Sequence, residues 1–415
     1  MQPTTSDLVP LVYAIATMDT KGEELNFVAE QLKSQGLSVA TIDVGTLDPP
    51  SIEPSVTRDA VAGCNPNTDA LKCEDRGQAI EAMSDALQTF LSNEHRSGRV
   101  AGVIGLGGTG GTALICPAMA ALPIGVPKVM VSTVGGGDVS AFVGGSDIVM
   151  FPSIVDVAGL NQVSTKILSN AAHALAGMVS IPSPTTKVRP AIGMTMFGVT
   201  TTCATAVRVA LEAEGLDPLV FHATGTGGRA MDKLVESKLI RGVLDITTTE
   251  VADEVVGGIF PAGPSRFDAI IESEVPYVMS LGAVDMVNFR ARSTVPEKFK
   301  DRLLHVHNPQ ITLMRTTPDE NREIARWIAG KMNRSTAEVA ILIPEKGVSA
   351  LDAPGQPFFD LEADEALFSE LERCIDTTPK RTVRRLPYHI NDPEFAKALT
   401  GTFRSMWIQS QDGSA

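Results

Sequence analysis

The sequence predicts an α/β protein of two Rossmann-like, doubly wound subdomains with mostly parallel sheets, related by internal duplication. Short apolar strands alternate with helical segments along the chain, the pattern of βαβ units. Aromatic residues make up only 5% of the chain while small residues are plentiful, which suits helices packed closely on a parallel sheet. The two halves also repeat short motifs in one order. Ile15-Ala-Thr-Met18, a helix and Gly36-Leu37 answer to Gly193-Met-Thr-Met196, a helix and Gly215-Leu216. Gly102-Val-Ile104 answers to Gly242-Val-Leu244, and Val126-Pro-Lys-Val-Met130 to Val275-Pro-Tyr-Val-Met279.

In chain order, Leu11–Ala16 reads as a strand, Glu23–Ser34 as a helix and Ser38–Asp43 as a strand. A loop-rich stretch from Gly45 to about Asp75 carries Pro49-Pro50 and Asn65-Pro66, and Ala79–Ser92 has helical periodicity. Val100–Ile104 and Lys128–Ser132 are strands. The proline-rich run Ile181–Pro190 opposes helix and central strand alike and reads as a linker. It divides the chain into domains over 1–182 and 190–415. Strands at Ala191–Met196, Pro218–His222, Gly242–Ile246, Tyr277–Ser280, Ile311–Arg315 and Val339–Ile343 continue the series, with a helix at Ala204–Ala213.

Composition removes several functional classes. The net charge of −14 lacks the basic stripe that duplex nucleic acid requires, and the patch Lys380-Arg381 with Arg384-Arg385 reads as a solvated face. Five scattered cysteines give neither a disulfide framework nor a CxxC pair, and HExxH is absent, so no structural zinc site is expected. Met1–Pro10 lacks the features of a signal peptide and no apolar run approaches a membrane span, so the expected compartment is the cytoplasm.

The chemistry concentrates where strands give way to helices. Gly105-Leu-Gly-Gly-Thr-Gly-Gly-Thr112 follows a strand and precedes a helix-like run. Gly107, Gly108, Gly110 and Gly111 expose backbone, the helix start offers free N–H groups to an anion, and Thr109 and Thr112 add hydroxyls. It is no Walker A loop, and it lacks the acidic ribose partner of a dinucleotide fingerprint. Ser132, Thr133, Gly136 and Asp138 follow the next strand. Asp138 suits a metal on a phosphate, a sugar hydroxyl or a helix cap. At the first strand-to-helix turn Asp19, Lys21 and Gly22 add a carboxylate and a cation. Asp43 ends the second strand, where a carboxylate often meets a ribose.

In the second half Thr224, Gly225, Gly227, Gly228 and Arg229 follow the strand ending at His222 in a segment where Gly225, Gly227 and Ala230 fit GxGxxA, with Asp245 closing the next strand. Arg229 suits a carboxylate or phosphate. Thr200, Thr201 and Thr202 stand at a helix start, as do Thr247–Thr249 with Glu250, and such threonines also serve as ordinary caps. His222 leads the acid–base candidates, followed by His305 and His307. Cys203 reads as a small buried residue, with thiolate character at a helix start as the alternative.

These loops, in this order, resemble the Tm-one-like ATP-binding family. The resemblance rests on Met18-Asp-Thr-Lys-Gly22, Gly105–Thr112, Leu122-Pro-Ile-Gly-Val-Pro-Lys128, Ser146-Asp-Ile148 and Gly159-Leu-Asn161. It continues through Met196-Phe-Gly-Val-Thr-Thr201, Val220-Phe-His-Ala-Thr-Gly225, Asp285-Met-Val-Asn-Phe289, His307-Asn-Pro309 and Leu313-Met-Arg-Thr316, covering about residues 11 to 400. It implies two Rossmann-like subdomains, ATP with magnesium as ligand, a homodimer, and a barrel-like partner fused in some members. Val134-Gly-Gly-Gly-Asp138 departs from the pattern, which has a serine among its glycines.

Four readings follow. One is a nucleotide-binding protein holding phosphates on Gly107–Thr112, with Asp19–Gly22 and Asp138 nearby. Another is an enzyme on a small phosphorylated or carboxylated metabolite in an interdomain cleft, with His222, Asp245, Glu250 or His307 moving protons and Arg229 anchoring substrate. A third is an NAD-dependent oxidoreductase using Gly225–Ala230 and Asp245. The fourth is a regulatory protein whose ATP site gates association.

Overall fold

The computed structural model describes residues 9–65, 67–181 and 189–412. Most of the linker-like run, residues 182–188, lies outside the described residues. Contacts divide the chain into a unit over Met1–Thr185 and a unit over Thr186–Ala415.

The first unit is built on five parallel strands: β1 (Leu11–Ala16), β2 (Val39–Asp43), β3 (Val100–Gly107), β4 (Lys128–Ser132) and β5 (Val149–Pro152). Their order is β2-β1-β3-β4-β5. β1 shows why the sheet is wound on both faces. Tyr13 and Ile15 join a core with Met83, Leu87, Ile115 and Met119 from helices Arg76–Arg96 and Thr109–Ala121. Val12, Ala14 and Ala16 point the other way, to Leu25, Val28, Leu168 and Leu175 of helices Met18–Ser34 and Gln162–Ser180. A strand covered on both faces must be apolar at every position, as this one is.

Three details differ from expectation. β3 runs on to Gly107, because Gly107 pairs with Ser132 of β4, so Gly105–Gly107 belong to the strand rather than the loop. A side chain at Gly105 would meet Ile115 and Met119 of helix Thr109–Ala121 at 2.9 and 3.0 Å, so glycine there lets that helix approach the sheet. The first helix starts at Met18 rather than Glu23, with non-helical geometry at Lys21 (φ −132°, ψ 22°). The stretch after Gly45 contains the short helix Arg58–Ala62, whose start is capped by the Thr57 side chain on the Ala60 amide.

The second unit has six parallel strands: β6 (Ala191–Met196), β7 (Asp217–His222), β8 (Gly242–Thr247), β9 (Tyr277–Gly282), and, after three intervening strands, β13 (Val339–Pro344) and β14 (Arg381–Leu386). The order is β7-β6-β8-β9-β13-β14. Its first five places repeat the order of the first sheet. The matching motifs fall on equivalent strands: β1 and β6, β3 and β8, β4 and β9. The intervening β10 (Met286–Phe289), β11 (Leu304–Asn308) and β12 (Ile311–Arg315) form a separate antiparallel sheet in the order β10-β12-β11. Ile311–Arg315 therefore lies outside the parallel series in which its pattern placed it. A short apolar run does not disclose its strand partner. Among the described residues, no helix is long and apolar enough to cross a membrane.

Candidate functional site

In both sheets the order reverses beside the first strand, between β1 and β3 and between β6 and β8. Open α/β sheets form their crevice there, beyond the carboxyl ends of the strands.

In the first unit that crevice has a bare helix start. Helix Thr109–Ala121 has Gly108 as its N-cap residue and no side-chain cap. Among the described residues the amides of Thr109, Gly110 and Gly111 find no protein acceptor, and these residues are partly or fully exposed. The Thr112 amide and hydroxyl both donate to the Gly108 carbonyl, at 2.9 and 2.8 Å. The buried Thr112 hydroxyl also contacts the Ser132 hydroxyl at 2.7 Å, so Thr112 and Ser132 brace the loop. The glycines divide similarly. A Cβ on Gly107 would lie 2.9 Å from the Gly111 backbone, whereas one on Gly108 would meet nothing nearer than the Thr133 hydroxyl, at 3.7 Å. Gly107 serves the fold, and Gly108 leaves open space.

β1 pairs with β3 through Ile15 and Gly105, so the Asp19–Gly22 turn leaves the neighbouring strand. Asp43, at the end of β2, is fully buried; one carboxylate oxygen accepts from the Met18 and Gly45 amides at 2.9 and 2.8 Å. Its other oxygen and one oxygen of Asp19 are buried without partners. Gly45 lies against both carboxylates, its missing Cβ 3.1 Å from Asp43 and 3.4 Å from Asp19. Burial pushes the Asp43 carboxyl up, helped by the Asp19 charge and opposed by the two amides and Arg58. The Lys21 ammonium donates to the Val157 carbonyl. A Cβ on Gly22 would strike the Ser51 hydroxyl at 2.3 Å. Thr133, Gly136 and Asp138 are exposed in the loop after β4.

In the second unit the corresponding ends are filled by the protein. Thr200 and Thr247 are buried with hydroxyls 2.7 Å apart, and the Thr195 hydroxyl donates to Asp245 at 2.6 Å. Thr201 and Thr202 are exposed, and the Thr201 hydroxyl turns back to the Gly198 carbonyl. The GxGxxA segment follows β7, an edge strand away from the reversal. Glu250 occupies the start of its helix, Thr226–Glu236, accepting from the Gly225 and Gly228 amides at 2.7 and 3.0 Å. A Cβ on Gly227 would fall 1.9 Å from the His222 carbonyl oxygen, and one on Gly228 would fall 2.1 Å from Glu250. These glycines serve internal packing.

Asp245 and Glu250, expected to move protons, lie in a buried ion cluster instead. Arg266 is 2% exposed and donates to Asp245 at 2.6 Å and to Asp232 and Glu250 at 3.0 Å each. The Tyr277 hydroxyl donates to Asp245 at 3.2 Å. The guanidinium ties the three carboxylates together as structural partners, and burial pushes the Asp232 carboxyl up to about 7 against the Arg266 charge. Arg229 is exposed and donates to the Pro261 carbonyl, while the Thr224 hydroxyl faces the His222 carbonyl. His222 is exposed, with its ring 5.3 Å from that of Phe197. His307 is exposed on β11. Cys203 is buried, and burial pushes its thiol up to about 12, so it is not a thiolate.

Nothing in the local sequence marks Arg266 as central, since only tertiary contact gathers its partners from Asp232, Asp245 and Glu250. A second buried cluster joins two motifs quoted above. Arg315 donates to Asp364 at 2.6 Å and lies 3.7 Å from Asp352, and Asp285 accepts from the Ser349 hydroxyl at 2.8 Å. Asp285 and Asp352 each keep a buried oxygen without a hydrogen-bond partner.

Residues 10–184 match the N-terminal domain, and residues 189–407 the C-terminal domain, described as "Uncharacterised protein family (UPF0261)". The chain belongs to the UPF0261 family. A family protein from Rhizobium meliloti is 51% identical over 397 residues, covering 95% of this chain and 98% of that protein. One from Clostridium tetani is 46% identical, covering 94% and 96%. The tomato (Solanum lycopersicum) ToMV resistance protein Tm-1 is 47% identical across 95% of this chain, but the match spans only 55% of the tomato protein. The resemblance read from the motifs is thus a family relationship. Among solved structures, a UDP-N-acetylglucosamine 2-epimerase from Rickettsia bellii aligns over 98% of this chain and 97% of its own at 8% identity. Its TM-score of 0.24 supports no comparison.

Proposed function

We propose that the first unit binds a nucleoside triphosphate with magnesium, its phosphates on the amides of Thr109, Gly110 and Gly111. The uncapped, glycine-rich helix start at the strand reversal carries this reading, because such a start presents N–H groups and a positive dipole end to an anion. Lys21 uses one of three ammonium donors on Val157 and keeps two for phosphate. The partnerless oxygens of Asp19 and Asp43 suit magnesium, which takes one or two carboxylates together with phosphate oxygens. Magnesium there would neutralise phosphate charge.

The NAD reading has less support, since Glu250 and Arg266 occupy the groups it would use. ATP itself is favoured by the family resemblance, as is a homodimer, which light scattering would test by giving twice the 43.9 kDa mass of one chain.

Calorimetric titration with ATP and magnesium, ADP, NAD and NADP tests the proposal. ATP with magnesium should bind and NAD should not. Gly108→Val should keep the fold and weaken ATP by at least about tenfold, a loss of about 1.4 kcal/mol. Undiminished ATP binding by a folded Gly108→Val protein would remove this loop from the site.

A further inference from the structure

The segment after β5 holds an unusual residue beside the glycine loop. Ile154 has φ +65°, and it is the one β-branched residue with positive φ among the described residues. The Val155 amide donates to the Ser153 carbonyl at 2.7 Å, closing a three-residue turn of the rare, strained γ kind. Ser153 is fixed on both sides: its amide donates to the Ser132 carbonyl at 3.0 Å and its hydroxyl to the Val155 carbonyl at 2.6 Å. The Ile154 side chain gains no burial in return, since it is 74% exposed. Glycine would take this backbone without steric cost, so the isoleucine side chain calls for a contact outside the unit's own packing.

That side chain borders a cavity of about 500 Å³, with Thr133 and Gly136 on the β4 side and Pro152 and Asp156 beside it. The size suits part or all of a small ligand. Thr133 also faces the open space at Gly108, so the cavity adjoins the bare helix start. Asp156 is the ionisable side chain lining the cavity, and it disfavours a second anion while offering an acceptor to N–H. We propose that this cavity receives the nucleobase of the bound nucleotide, with Ile154 as its apolar wall and Asp156 accepting from an amino group of the ring. This assignment rests on the nucleotide reading of the first unit.

Titration of the full chain with ATP and with inorganic tripolyphosphate, each with magnesium, separates the two ideas. ATP should bind about tenfold or more tighter than tripolyphosphate, and Ile154→Gly and Asp156→Ala should each remove most of that advantage without lowering tripolyphosphate affinity. Ile154→Gly should also keep or raise the unfolding midpoint, because it relieves the backbone. Equal affinity for both probes overturns the base subsite and leaves the phosphate cradle standing. An ATP preference retained by both variants overturns its placement in this cavity. Failure of both probes to bind overturns the phosphate site and this proposal with it.

Discussion

Neighbouring glycines in this chain do different work, and added side chains should separate them. Gly107→Ala places a carbon against the Gly111 backbone at 2.9 Å and should cost about 1–3 kcal/mol in urea unfolding. Gly108→Ala meets only ordinary contact and should leave stability close to wild type, so its effect should appear in ligand binding. Arg266 gives the opposite kind of test. Arg266→Met strands Asp232, Asp245 and Glu250 as buried carboxylates and should destabilise the second unit by about 3–5 kcal/mol. A change under 1 kcal/mol in the same urea assay would show that the cluster is not held by its guanidinium. Residue types with phosphate or proton chemistry were legible in the sequence. Burial was not: Asp19 follows a short apolar strand and Asp245 lies within one, yet one keeps a partnerless oxygen and the other is bound to Arg266 and Tyr277.

The strands and their connecting loops set a pH dependence. Asp285 precedes β10, Arg315 ends β12, and Asp364 lies on helix Leu361–Cys374. Burial pushes the Asp285 carboxyl up to about 7, opposed by Arg315 and reinforced by Asp352. Asp364 is pushed up to about 8 by burial and Asp352, against Arg315. The folded state therefore keeps protons that the unfolded chain releases near the ordinary carboxylate value of about 3.9. The stability tied to those protons is complete below about pH 4 and is lost as pH rises through 7 to 8. Urea midpoints of the second unit should fall between pH 5 and 8, and Asp285→Asn should flatten that fall. An unchanged slope in the variant would exclude Asp285 as a source. The basic run near the C-terminus is likewise decided by its elements. Lys380 and Arg384 are exposed as the solvated-face reading expects, whereas Arg381 is buried against the Asn333, Ser335 and Asp376 carbonyls and Arg385 pairs with Glu365 and Glu372.

Each unit has its own sheet and cores on both faces, so each is expected to give its own unfolding transition. ATP with magnesium at about a hundred times its dissociation constant should stabilise the first unit by about 2.7 kcal/mol. For a unit of this size the midpoint should rise by about 5–11 °C. Calorimetry should show this in the first unit's transition while the second stays in place. A shift confined to the second transition would move the site to the other sheet.

The alternation of strands and helices and the repeated motifs determined the two-unit α/β plan, because apolar periodicity and local turn chemistry are written in neighbouring residues. The glycine-rich helix start was legible for the same reason. Tertiary structure alone decided that β10–β12 form a sheet apart, that Glu250 fills one helix start while another stays bare, and that Ile154 stands strained beside it. Those outcomes depend on which distant groups meet in space, and no local pattern encodes that.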